Sequence, residues 1–163
     1  MTAFQTVVLI AATMTVGLAA GLFAAFAYSV MPGLDKAGDK TFTEAMQQIN
    51  NALVNGWLVL IFVGGAVFTL LINALYLFGD GGDATPWLIA ALVLYLVAVV
   101  VTYAVHVPLN KQITEDGGPS ERAAMRDRVE GPWAGWNVVR AVSSTAAFGC
   151  LIWATVLHGA MIF

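Results

Sequence analysis

The chain has 163 residues, 60% of them hydrophobic and 10% charged, with a net charge of −3 and a mean hydropathy of +0.81. Such proportions exclude an ordinary soluble domain and, with only seven Lys and Arg residues, a nucleic-acid-binding surface. Cys150 is the single cysteine, so no internal disulfide forms and the redox compartment is not legible.

No charged side chain occurs before residue 34. About 20 apolar residues cross a bilayer core, so residues 4–31 are expected to form a first transmembrane helix. Without a basic flank, and with too long an apolar run, this stretch does not read as a signal peptide. Gly17 and Gly21 stand in GxxxG spacing, beside Ala20 and Ala24. Such a face lets a second backbone approach closely, inside one bundle or across a homo-oligomer seam. Met31-Pro32-Gly33 is expected to end the helix, because proline disfavours helical geometry in the residue before it.

After a short charged loop, Thr41-Phe42-Thr43-Glu44 has the spacing of a capping box. Phe42, Ala45, Met46, Ile49, Ala52 and Leu53 then recur at helical spacing, with Glu44, Gln47, Gln48 and Asn51 pointing elsewhere. This predicts a short amphipathic helix at the membrane surface, with Asn50 near its apolar edge, leading into a second span over residues 53–78. A tight turn at 79–83 precedes Pro86, which suits the first turn of a third span over 86–107. Ser120 is the expected cap of a short charged helix through Glu130. A fourth span covers residues 133–161, with Ala141, Thr145 and Gly149 as a close-packing face. The expected fold is therefore all-α: one domain, 1–163, forming a four-transmembrane-helix bundle of up-down-up-down topology with membrane lipid around it.

All seven Lys and Arg residues fall after the first and third spans or at the start of the fourth. The positive-inside rule then places loops 32–52 and 108–132 in the cytoplasm and both chain ends outside, in a plasma or inner membrane. At that cytoplasmic mouth this topology gathers Tyr28, Gln47, Asn50, His106, Asn110, Trp133, Trp136, Asn137 and Arg140. Trp133, Asn137 and Arg140 follow at i, i+4 and i+7 and share one helix face. A cation, several amides, an imidazole and aromatic rings suit a flat, lipophilic aromatic molecule bearing phenol or carbonyl oxygens.

Plainer explanations exist for each residue. Tryptophans form belts at membrane interfaces, which also covers Trp87. An arginine near a helix end snorkels, and Asn110 after Pro108 suits a turn. His106 lacks a second ligand on its side and His158 lies at the opposite face, so neither a metal site nor a paired-histidine haem is expected within one subunit. A metal shared by His106 from two copies stays open. Asn73, deep in the second span, reads as an interhelical hydrogen bond. No phosphate loop, zinc signature or nucleophile elbow occurs.

Four motifs in register cover almost the whole chain: Ala-Phe-Ala-Tyr-Ser-Val-Met-Pro-Gly-Leu at the end of the first span, Met46-Gln47-Gln48-Ile49-Asn50, Val107-Pro108-Leu109-Asn110, and Trp133-x-x-Trp136-Asn137-x-x-Arg140. Together they resemble the anthrone oxygenase-like family of small four-helix membrane proteins, although many members of that family carry Asn where this chain has His106. The resemblance implies a cofactor-independent oxygenase that turns an aromatic polyketide anthrone into the anthraquinone. Such an enzyme needs a base, a cationic donor for the developing phenolate and a dry aromatic pocket. On that implication Arg140 with Asn137 forms the oxyanion clamp and His106 is the base, since imidazole ordinarily titrates near neutrality. Trp136 and Trp133 would supply aromatic walls, with Asn50, Asn110, Gln47 and Tyr28 orienting the ligand. The same residues also suit two other functions, a quinone or polyphenol carrier without chemistry and an accessory subunit assembled through Gly17 and Gly21.

Overall fold

The structure is a computed structural model, and it describes residues 3–53, 55–79, 82–114 and 118–160. Five helices account for nearly all of these residues, and no strand occurs among them: α1 Ala3–Asp35, α2 Asp39–Leu53, α3 Gly56–Leu77, α4 Thr85–Ile113 and α5 Pro119–Ala160. All except α2 are long and apolar enough to cross a membrane. Helix α1 packs on α3 and α5, and α4 packs on α3 and α5, closing a ring of four. The predicted turn at 79–83, the end of the fourth span and the middle of the loop before α5 fall partly outside the described residues.

Three prolines lie inside helices, among them Pro32, which was expected to end the first span. Helix α1 runs through Pro32, and Met31 keeps helical angles of φ −65° and ψ −44°. Helix α4 runs through Pro108, with Val107 at φ −60° and ψ −47°. In both, a π turn lies immediately ahead, at Phe26–Val30 and Thr102–His106. A proline ring clashes with the carbonyl four residues earlier. Those carbonyls belong to Tyr28 and Ala104, each inside the widened turn, so the wide turn moves the obstacle aside.

The third proline, Pro132, lies within the 42-residue α5, so the charged helix expected at 120–130 is continuous with the fourth span. Packing on both sides of Pro132 explains this. Met125 and Val129 join Phe42, Met46 and Ile113 in a buried cluster, and Trp133 joins it beside Phe26. Burying several large side chains outweighs one missing hydrogen bond.

Caps differ from the sequence reading in detail. Helix α2 begins at Asp39, before Thr41, so the Thr41 capping box does not form. Gly118 precedes Pro119 at the start of α5, and its amide donates to the Glu121 carboxylate at 2.7 Å, leaving Ser120 inside the first turn. Asn55 breaks the chain between α2 and α3, with extended angles and its side chain accepting from the Leu58 amide at 3.0 Å. Pro86 does stand in the first turn of α4. Arg126 fastens the linker before α2 to α5, donating to the Leu34, Asp35 and Ala37 carbonyls and pairing with Asp39 and Glu130.

The small-residue faces are used unequally. A Cβ on Gly17 would lie 2.7 Å from the Phe148 ring of α5, whereas one on Gly21 meets nothing within 4 Å. Thr145 and Gly149 face outward and Ala141 inward, so that stripe is not a close-packed seam within the chain. The buried side of α5 instead carries Asn137, Arg140, Ser144, Ala147, Leu151 and His158. Gly65 makes an equally tight approach, because an added Cβ would sit 2.7 Å from the Tyr95 hydroxyl. Tyr95 is fully buried and donates to the Phe62 carbonyl, so it has nowhere to retreat. Gly65→Ala is expected to cost about 1–3 kcal/mol by overpacking, read as a lower melting temperature in detergent. An unchanged melting temperature would mean that α3 and α4 separate freely there.

Candidate functional site

The three π turns, Phe26–Val30, Val59–Val63 and Thr102–His106, lie on α1, α3 and α4 and all contribute to the wall of one cavity. In or beside each, a backbone carbonyl takes a side-chain partner. Phe23 accepts from Asn137 Nδ2 at 3.0 Å, Phe62 from the Tyr95 hydroxyl at 3.1 Å, and Val101 faces His106 Nδ1 at 3.4 Å. A wide turn loosens the regular backbone ladder, and such turns concentrate at functional sites. The cavity has a volume of about 190 Å³. Phe23, Phe26 and Phe62 supply ring surface, while Asn50 of α2, His106 and Asn110 of α4, and Trp133 and Arg140 of α5 bring polar groups.

Arg140 dominates the electrostatics. It is 6% exposed, and no carboxylate lies within ion-pair distance of it among the described residues. Its Nη2 donates to Asn137 Oδ1 at 2.7 Å and its Nη1 to Thr102 Oγ1 at 3.3 Å. The guanidinium carbon lies 4.4 Å from the Phe23 ring centre and 5.5 Å from that of Trp133. Cation–π contacts contribute about 2 kcal/mol when desolvated, well short of the several kcal/mol it takes to remove a cation from water. The remaining donor, Nε, is buried with no partner. Arg140 is thus a cation held firmly in place, un-neutralised, with one nitrogen, Nε, left without a partner.

Around it the other groups are mostly spoken for. His106 is buried, with Nδ1 toward the Val101 carbonyl and Nε2 3.2 Å from the Trp133 carbonyl. Its ring meets Trp133 edge to face at 4.9 Å. Trp133 Nε1 donates to Asn110 Oδ1 at 2.8 Å, which fixes the indole across the cavity. Thr102 Oγ1 donates to the Ala98 carbonyl. Asn50 presents a second buried donor, Nδ2, without a partner.

The residues expected at this mouth therefore divide into groups. Arg140, His106, Trp133, Asn110 and Asn50 come together as walls of the cavity. Asn137 stands behind the wall, fully buried, aiming Arg140 through one hydrogen bond and anchoring itself to Phe23 through another. Trp136 is not brought to the cavity. At 45% exposure it lies on the outward side of α5, because one residue before Asn137 is a quarter turn away from the buried stripe. Tyr28, 75% exposed, also faces outward. Gln47 donates to the Ile113 carbonyl at 2.9 Å and ties α2 to the end of α4.

Phe23, Phe62 and Thr102 escaped the sequence reading. Phe23 and Phe62 sit among other apolar residues and carry no distinguishing mark. Thr102 was findable, since it lies four residues before His106 and so shares its helix face.

His158 belongs to a separate cluster away from the cavity, with the Tyr76 hydroxyl 2.6 Å from Nδ1 and Thr6 Oγ1 2.8 Å from Nε2. Asn73 bridges α3 and α4 by donating to the Leu88 carbonyl at 2.9 Å, the interhelical bond expected of it.

Among known proteins, the sequence model of one family, anthrone oxygenase, matches residues 57–150, more than half of the chain. The match contains Phe62, Thr102, His106, Asn110, Trp133, Asn137 and Arg140 and stops short of Phe23 and Asn50. No curated protein and no solved structure gives a match.

Proposed function

We propose that this chain, which belongs to the anthrone oxygenase family, is a membrane oxygenase acting on a flat aromatic ketone held against Arg140. One observation carries the reading: a buried, un-neutralised guanidinium with a free Nε, at the wall of an aromatic cavity. A neutral ketone enters such a site at little cost. Once it has lost a proton, its charge spreads onto the carbonyl oxygen, where Arg140 meets it. The cation therefore stabilises the reacting state more than the resting one, which is what accelerates a reaction. At 190 Å³ the cavity falls below the roughly 300–1,000 Å³ usual for ligand pockets, favouring a thin, rigid ligand that fills it closely.

The chemistry balances with dioxygen as the sole co-substrate. His106 accepts a proton from the anthrone methylene, and the electron-rich carbanion transfers an electron to dioxygen. The two radicals combine into a carbon–oxygen bond, and the resulting peroxide recovers the proton. Loss of water from that hydroperoxide, with the second methylene hydrogen, leaves the new carbonyl. One anthrone and one dioxygen thus give one anthraquinone and one water. The positive-inside rule places this mouth on the cytoplasmic side.

The test is oxygen uptake by purified protein in nanodiscs given anthrone, with anthraquinone measured alongside. Consumption of one dioxygen per anthraquinone, well above the rate in empty nanodiscs, is expected. Binding of anthrone without any rate above that background would leave a carrier, the same donors serving no chemistry. No binding at all would remove the site's ligand reading altogether.

A further inference from the structure

Two residues that line the cavity from different elements, Arg140 of α5 and Asn50 of α2, each hold a buried nitrogen without a partner, Nε and Nδ2. Both are N–H donors. Several other polar atoms around the cavity have partners in the protein: Asn110 Oδ1 with Trp133, Thr102 Oγ1 with Ala98 and Arg140, and the His106 nitrogens beside two carbonyls. The remaining unpartnered buried side-chain atoms of the described residues, on Asn73 and Thr85, do not line this cavity. A buried donor left unmade is costly, and two of them at one cavity form a pattern that a ligand can complete.

We infer that the site recognises a ligand with two separate oxygen acceptors, one taken by Arg140 and the other by Asn50, so that Asn50 reads the second carbonyl of a quinone-type molecule. This rests on the ligand-binding reading above and extends it to specificity. A donor-only pair favours carbonyl and oxyanion oxygens over hydroxyls that must themselves donate. An aromatic ketone with one oxygen gives it to Arg140, because charge-assisted hydrogen bonds are the stronger ones. Asn50 is then satisfied only when a second oxygen arrives, as it does when the methylene carbon is oxidised. Asn50 is accordingly the group that meets the oxygen added in the reaction, and it holds the two-carbonyl product more tightly than the one-carbonyl substrate.

Three tricyclic probes of nearly the same shape separate these contributions: anthracene with no oxygen, anthrone with one and 9,10-anthraquinone with two. Each is titrated under argon against the full-length protein by tryptophan fluorescence, at one fixed detergent concentration. For the unmodified protein the expected order of affinity is anthraquinone, anthrone, anthracene. Asn50→Leu should weaken anthraquinone about five- to tenfold, the worth of one hydrogen bond, and leave the other two within about twofold. Asn50→Asp, which keeps the shape and offers only acceptors, should weaken anthraquinone at least as much. Equal binding of anthrone and anthraquinone to the unmodified protein would overturn the inference while the ligand reading stands. So would an Asn50→Leu variant that weakens all three probes alike, which would make Asn50 a packing residue, or tighter anthraquinone binding by Asn50→Asp. If none of the three binds, both readings fall together.

Discussion

Replacing Arg140 by Met is expected to lower anthrone-dependent oxygen uptake about a hundredfold or more while leaving the protein folded. Loss of one charge-stabilising donor typically costs two to three powers of ten in turnover. Here the residue removed supplies both the charge and the free donor. Stability should move little, or rise. Arg140 satisfies Asn137 and Thr102, but it does so as a buried cation with no counter-ion among the described residues. Substituting an apolar side chain of similar length removes that desolvation cost. Asn137 keeps its bond to the Phe23 carbonyl. The discriminating result is therefore a divergence, with activity gone and the melting temperature at or above that of the parent protein. Arg140→Lys is the sharper companion, because it keeps the charge and loses the fork that reaches Asn137, Thr102 and the cavity together. It should recover only a small part of the rate. Full activity in either variant would take Arg140 out of the chemistry.

This separation of stability from function also accounts for what the sequence discloses. Segments of about 20 apolar residues announce spans regardless of detail, because hydrocarbon tolerates little else. All four spans were legible on that ground, and so was α2, from the apolar spacing of Phe42 and Met46. Helix ends were not. The rule that a proline terminates a helix assumes a regular turn ahead of it, and at Pro32 and Pro108 the turn is π-helical. Nothing in Tyr28-Ser29-Val30 or Tyr103-Ala104-Val105 announces that change, which depends on packing against the neighbouring helices.

The site shows the same division. Arg140, His106 and Asn50 were legible because polar atoms at the edge of a hydrocarbon layer demand an explanation. Trp136 was placed beside them by the topology, and it stands four residues before Arg140 on the same helix. Yet the bundle buries the stripe through Trp133, Asn137 and Arg140, which turns Trp136 outward. Spacing identifies neighbours on one helix, whereas contact with the other three helices decides which neighbours face the cavity. Phe23 and Phe62 form walls only because the π turns and the ring of helices bring them there. They escape any reading that looks for chemically distinctive residues.

His106→Asn should separate binding from proton transfer. The imidazole lines the cavity and lies between the Val101 and Trp133 carbonyls. In a neutral ring one nitrogen has no hydrogen and faces a carbonyl oxygen across a repulsive contact. Taking the anthrone proton removes that repulsion. An asparagine fits the space and can still donate to a carbonyl, but it is no base near neutral pH. Turnover is expected to fall about 10²–10⁴-fold, with anthrone affinity under argon changed by less than about threefold, since the Arg140 donor remains. The pH profile supplies an independent readout. The parent rate should climb as His106 loses its resting proton and then level off, because its base is fully available. In the variant, hydroxide must remove the substrate proton, so the rate should keep rising about tenfold per pH unit without a plateau. A structural role for His106 predicts something else: weaker anthrone binding as Trp133 loosens, with the shape of the pH profile intact. If the variant instead keeps both its rate and its plateau, the proton leaves by another route, and Arg140 alone defines the site.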